Sequence, residues 1–277
     1  IKFMSQDFNF DSIAIKIPTR LENSHKGNFG KVLVVGGSEG MGGAGILSSE
    51  ACLFCGAGLV HLNTHPSNVE ASLIRNPEIM ALGINKSLSM PDKVDVLLCG
   101  PGFKNDTWSN NVFNEVFNTA KIKTSVFDAG ALNLISEKTI KDNQNIILTP
   151  HPGEAAKLLG VSSNEIQEDR VNAAKTISKE FSAYVILKGK DTIICSQNSD
   201  DVFKCSEGGP ELSSGGTGDV LAGVISALIA QKLDIMDACM FSVAVHARAG
   251  TIFKNKTGEI GLNASLLIPI IRDLINK

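Results

Sequence analysis

Three glycines and a threonine stand directly before an aspartate in Ser213-Ser214-Gly215-Gly216-Thr217-Gly218-Asp219, and the apolar run Val220-Leu221-Ala222-Gly223-Val224-Ile225 follows at once. A glycine turn opening a helix presents backbone N–H groups that can converge on an anion, and the helix dipole adds to the attraction. Asp219 falls where an ionised carboxylate is favoured, at or just inside the helix start. An ordinary Asp cap would explain the carboxylate alone. It does not ask for Gly-Gly-Thr-Gly in front. A donor cradle beside a general base is what phosphoryl transfer to a hydroxyl requires.

Two further segments carry usable groups. His151 lies between two prolines in Pro150-His151-Pro152, next to Gly153-Glu154; the flanking rings restrict the backbone and hold the imidazole in one direction. That favours ligand contact over a purely structural histidine. Lys188-Gly189-Lys190-Asp191-Thr192 separates two strand-like runs as a hairpin turn would, and its Lys and Thr can hold phosphates. His25, His61, His65 and His246 offer no ligand pairing and stay structural or unassigned.

These groups need a scaffold. Short runs rich in Val, Ile and Leu, continuous rather than alternating, mark strands at 31–35, 59–63, 94–99, 124–128, 145–149, 184–188 and 191–194. That pattern fits a parallel sheet covered on both faces. Helical periodicity occupies 46–55, 110–120, 164–181, 218–231, 237–253 and 264–275. No linker, repeat or low-complexity tract interrupts them. The expectation is one doubly wound α/β domain with helices on both faces. Ligands then bind at the carboxyl ends of the strands, where Gly36-Gly37, Gly100-Pro101-Gly102, Asp128-Ala129-Gly130, residues 149–154 and residues 188–190 fall.

Other readings lose ground. Gly40-Met41-Gly42-Gly43-Ala44-Gly45 matches G-x-G-x-x-G, but the second strand ends Leu62-Asn63-Thr64-His65 without the carboxylate a ribose would need. A P-loop motif is absent. Cys52 and Cys55 form a lone C-x-x-C with no second pair, so the six cysteines read as small buried hydrophobes and no metal site is assigned. With 277 residues and a net charge of −3, the chain has no basic footprint for nucleic acid. No apolar stretch suits a membrane span and no leader opens the sequence, so a cytoplasmic enzyme is expected.

Taken in order, residues 25–30, 56–60, 100–102, 128–133, 149–154, 187–192, 215–219 and 244–250 closely resemble the ADP/ATP-dependent NAD(P)H-hydrate dehydratases of the ribokinase-like superfamily. The Gly-Gly-Thr-Gly-Asp segment is shared with sugar and vitamin kinases, whereas Thr149-Pro150-His151-Pro152-Gly153-Glu154 is more selective. The resemblance implies a ribokinase-like doubly wound, mostly parallel sheet, with residues 1–24 as an N-terminal extension and residues 25–277 as a single domain. It implies phosphorylation of the C6 hydroxyl of S-NADHX or S-NADPHX and elimination of phosphate to restore NAD(P)H. Bacterial relatives use ADP and release AMP, and others use ATP.

The resemblance also implies the following roles, position by position. Asp219 is the base, and the N–H groups of Gly216, Thr217 and Gly218 steady the transferred group. Lys188, Gly189, Lys190, Asp191 and Thr192, with Gly218, hold the nucleotide. Ala44, Gly102, His151 and Asp219 contact the hydrated cofactor. Mg2+ bridges the nucleotide phosphates without a protein cage. A homo-oligomer, a tetramer or larger, and a separate NAD(P)HX epimerase are implied as well, since about 24 residues precede His25. One departure stands out: Gly130 occupies a position where the family often has Asp. The rival is a kinase of the same fold acting on a thiazole or pyrimidine alcohol; a nucleotide binder without catalysis would have no need of Asp219.

Overall fold

The structure, a computed structural model, describes residues 4–119, 122–135 and 145–277. Residues 1–3 of the expected extension and residue 120 of an expected helix lie outside them. Among the described residues ten strands form one sheet: β1 (Ser5–Phe8), β2 (Lys31–Val35), β3 (Leu59–Thr64), β4 (Met80–Gly83), β5 (Val96–Cys99), β6 (Thr124–Phe127), β7 (Asn145–Leu148), β8 (Ala183–Leu187), β9 (Thr192–Cys195) and β10 (Val202–Cys205). Their spatial order is β1-β10-β9-β8-β7-β6-β5-β2-β3-β4. Every pairing is parallel except those of β9 with β8 and β10.

Strand β2 shows why the strands are apolar throughout. Val32 and Val34 enter one core layer while Leu33 and Val35 enter the other. Each such side chain contributes about 1.5–3 kcal/mol by leaving water. Helices α1 (Gly42–Phe54), α8 (Thr217–Ala230), α9 (Ile235–Thr257) and α10 (Ala264–Ile275) supply the first layer. Helices α3 (Thr107–Thr119), α4 (Gly130–Ile135), α5 (Pro152–Leu159) and α7 (Arg170–Glu180) supply the second. Two shorter helices, α2 (Val69–Arg75) and α6 (Ser163–Glu168), complete the set. No helix among the described residues is long and apolar enough to cross a membrane.

Helices α1 and α8 meet almost backbone to backbone. A Cβ built on Gly223 would lie 2.4 Å from the Ser48 carbonyl oxygen and 2.7 Å from Ala51 Cβ. Ser48 Oγ also donates to the Asp219 carbonyl at 3.0 Å. This contact ties the start of α8 to the first turns of α1.

Several elements differ from expectation. The stretch 164–181 is two helices, because the Asp169 side chain accepts from Asn172 N at 3.0 Å and caps α7 there. Most of the expected loop 40–45 is helical, since α1 begins at Gly42; packing against β3 and α8 overrides the low helix propensity of its glycines. Strands β1, β4 and β10, four residues each, are additional to the seven expected, and β1 and β4 form the two edges of the sheet. The cysteines do sit in the core: Cys52 and Cys55 are buried, and burial pushes the Cys55 thiol up to about 12.

Candidate active site

Strands β8, β7, β6, β5 and β2 are consecutive in the sheet, so the five strand ends singled out in the sequence lie side by side. Backbone bonds continue past the strands and fix their loops: Asp128 N to Cys99 O at 3.1 Å, Thr149 N to Phe127 O at 3.2 Å and Lys188 N to Pro150 O at 2.8 Å. The loops after β2 and β5 are joined the same way, with Gly37 N to Pro101 O at 2.8 Å and Ser38 N to Gly102 O at 3.0 Å.

At the centre a lysine is held among carboxylates. Lys188 Nζ lies 2.6 Å from Asp128 Oδ1 and 3.9 Å from Glu154 Oε2. Asp128 is buried and also accepts from Thr149 Oγ1 at 2.7 Å. Burial works against the Lys188 charge, but Asp128 and Glu154 outweigh it and raise its pKa. Asp219 reaches the same group from α8. Burial first, then repulsion from Asp128, pushes its carboxyl up to about 7 against the pull of Lys188. Burial lifts Glu154 to about 7 as well.

The glycine turn opens a helix as expected. Gly216 is the N-cap of α8 with φ 92°, a left-handed conformation that any side chain would strain. Thr217 Oγ1 lies 2.9 Å from the Leu212 carbonyl oxygen and 3.0 Å from that of Ser214, so its hydroxyl braces the loop. The Thr217 N–H faces Ser214 O at a long 3.5 Å. Among the described residues, no acceptor meets the N–H groups of Gly216, Gly218 or Asp219. A Cβ on Gly218 would stand 3.3 Å from Lys188 Nζ, so the ammonium flanks the cradle.

A cleft of about 770 Å³ opens beside it, lined by His151, Lys188, Gly189, Lys190, Thr192 and Gly218, with Leu212, Leu221 and Val243 as apolar wall. The structure brings together every expected nucleotide residue except Asp191. That residue occupies the turn at φ 56° and is not part of the cleft lining. Ala44 and Gly102 lie outside this cleft but beside each other; a Cβ on Gly102 would be 3.1 Å from Ala44 Cβ. Ala44 precedes Ser48 by one turn of α1, on the side where Ser48 bonds Asp219.

His151 caps a helix and still faces the cleft. Its Nδ1 accepts from Gly153 N at 3.0 Å and Glu154 N at 3.3 Å, capping α5, while Glu154 Oε2 accepts from His151 N at 2.7 Å. The ring is half-exposed and lines the cleft, so Nε2 stays accessible, 3.5 Å from Glu154 Oε1. Burial, and next the Lys188 ammonium, hold its pKa below the ordinary value.

Sequence reasoning assigned no side-chain role to Asp128, Glu154 or His246. The signal was the placement of Asp128 and Lys188 at the ends of separate strands. Gly130 also acquires a reason. A Cβ there would lie 2.4 Å from the Phe103 carbonyl oxygen, so the backbone has closed over the space a side chain needs. Gly130→Asp is therefore expected to destabilise the protein by about 1–3 kcal/mol through overpacking, read from the urea midpoint.

The carboxylate pKa values set a pH dependence. As the expected general base Asp219 works deprotonated, so kcat/KM should climb as pH rises through about 7, the value to which burial lifts its carboxyl. A profile flat from pH 5 to 9 would contradict this.

A sequence profile described as NAD(P)H-hydrate dehydratase matches residues 32–273. The chain is 40% identical over 263 residues to a bifunctional NAD(P)H-hydrate repair enzyme of Vibrio cholerae, covering 94% of this chain and 52% of that protein. The chain thus spans about half the length of the bifunctional relatives it matches. An ADP-dependent (S)-NAD(P)H-hydrate dehydratase of Neisseria meningitidis is 34% identical, with 93% of this chain and 89% of that one covered. Among solved structures, the ADP/ATP-dependent NAD(P)H-hydrate dehydratase of Bacillus subtilis, co-crystallised with ATP and Mg2+, superposes with a TM-score of 0.84 at 27% identity, over 94% of this chain and 93% of that one. The Bacillus subtilis enzyme shares the doubly wound, ribokinase-like sheet found here, and the chain belongs to the NAD(P)H-hydrate dehydratase family.

Proposed function

We propose that this chain returns S-NADHX and S-NADPHX to NADH and NADPH, with ADP as phosphoryl donor and AMP as product. The observation that carries the reading is Asp219, poised near neutrality in the first turn of α8, with unpartnered N–H groups and Lys188 around it. Asp219 takes the proton of the C6 hydroxyl as that oxygen bonds to the terminal phosphorus and AMP departs. The cradle N–H groups and Lys188 face the charge spreading over the transferred oxygens. In the elimination, the C6–O bond breaks with its electron pair leaving on phosphate, and the C5 proton passes to solvent as the C5–H electron pair forms the ring double bond.

The cleft beside residues 188–192 is the nucleotide side of this reading, and Ala44, Gly102 and His151 are the hydrated-cofactor side. His151→Asn should keep the α5 cap and the stability. It should weaken hydrated-cofactor binding more than ADP binding, by calorimetric titration. Equal losses for both ligands would place His151 elsewhere.

Asp128, Glu154 and Asp219 share one ammonium, and burial disfavours the ionised form of two of them; a hard cation bound beside them would favour the ionised carboxylates. Among the described residues no cluster of three or more His, Cys, Asp or Glu could hold a metal by itself. Glu154 and Asp128 would offer their carboxylates to a hydrated Mg2+ held mainly by the nucleotide phosphates. Bound there, the ion would neutralise phosphate charge. On the family resemblance the protein acts in the cytoplasm as a homo-oligomer, in one pathway with an NAD(P)HX epimerase.

Absorbance at 340 nm tests the reading directly. Protein added to S-NADHX with Mg2+ should give a rise with ADP, and a comparison with ATP identifies the donor. No rise with either, in protein that binds nucleotide, would move the assignment to kinases of thiazole or pyrimidine alcohols.

A further inference from the structure

His246 is buried in α9, 2.9 Å through Nε2 from the Thr217 carbonyl oxygen. A carbonyl only accepts, so Nε2 must carry the proton and the ring must be the donor. The Thr217 carbonyl shares one rigid peptide plane with the N–H of Gly218. That N–H meets no acceptor among the described residues and belongs to a residue lining the cleft. Gly218 has no side chain to hold this plane. Thr217 is braced on its other side by its hydroxyl, against Leu212 and Ser214. The imidazole thus grips the far end of a peptide whose near end faces the transferred group.

We infer that His246 is a positioning residue for phosphoryl transfer: by donating to the Thr217 carbonyl it aims and polarises the Gly218 N–H toward the charge that develops on the transferred phosphoryl group. A hydrogen bond accepted by a peptide carbonyl strengthens the N–H of the same peptide as a donor. Burial, against the pull of the Thr217 carbonyl, drives the imidazole down to about 4, so the ring stays neutral and its donor persists across the working range. Because the donor acts on the transition state, its loss appears in kcat rather than in nucleotide affinity.

The inference rests on the activity proposed above, and the test separates the two. His246→Met keeps bulk and removes the donor; His246→Gln retains an N–H. With S-NADHX and ADP, His246→Met is expected to lower kcat about 10- to 100-fold, less than outright loss of an oxyanion donor. ADP affinity by titration should stay within about 3-fold, and His246→Gln should recover most of the rate. Unchanged kcat in folded His246→Met, ADP binding that falls as far as kcat, or a folded His246→Gln no better than His246→Met would each overturn the inference. The imidazole tautomer, read by 15N NMR on the wild-type protein, needs no variant to fold. A proton on Nε2 with Nδ1 bare supports the contact, and the reverse overturns it. Wild-type protein that makes no NADH would fail the proposed activity, while the tautomer would still decide whether His246 holds the Thr217–Gly218 peptide.

Discussion

Asp219→Asn is expected to lower kcat by about 10²–10⁴-fold while ADP affinity changes no more than a few-fold. The factor is what a positioned general base contributes. The affinity should survive because the cradle is made of backbone: Gly216 keeps its turn, and the Asp219 carbonyl still accepts from Ser48 Oγ. The rise of kcat/KM through about pH 7 should vanish with the base. Stability should hold or improve above neutrality, because burial and the neighbouring Asp128 disfavour the ionised carboxylate that the substitution removes. Steady-state assay at 340 nm, calorimetric titration with ADP and urea unfolding read these three quantities. Near-normal kcat in the variant would remove Asp219 from the role of base.

Lys188→Met should injure both stability and nucleotide binding. Lys188 and Asp128 are paired at 2.6 Å, with side chains only 18% and 2% exposed. Removing the ammonium leaves a buried carboxylate whose remaining partner is the Thr149 hydroxyl. Breaking such a pair costs about 3–5 kcal/mol, which urea denaturation measures directly. Asp128→Asn added to Lys188→Met should recover most of that loss, since no uncompensated charge then remains. The double variant should not recover tight ADP binding, because the cation facing the phosphates is still missing. A single variant as stable as wild type would show that the Lys188–Asp128 pair does not hold the fold.

Much of this site was legible before any coordinates. The cradle at 213–219 could be read because glycine spacing and a following apolar helix are local signals. The hairpin around residues 188–192 could be read for the same reason. What stayed hidden was non-local. Asp128 and Lys188 are 60 positions apart and meet only because β6, β7 and β8 are sheet neighbours. His246 looked like one more helix residue, and its target is a main-chain carbonyl that no sequence pattern names. Asp191 went the other way: it belongs to the hairpin motif, but the turn that motif requires carries it off the cleft lining. The helix break at Asp169 was missed because apolar periodicity runs through it while the side chain caps locally. Short edge strands such as β4 and β1 take their identity from their partners rather than from their own residues.

The close approach of α1 and α8 at Gly223 bears on how such a catalyst can change over generations. Ala44 rides on one helix and Asp219 on the other, and main chain rather than side chain sets their spacing. Drift in the side chains lining the cleft leaves that interval untouched. The separation of Ala44 from Asp219 is thereby inherited as a constant. Selection can exchange what is bound on either flank without having to rediscover how far apart the partners must stand.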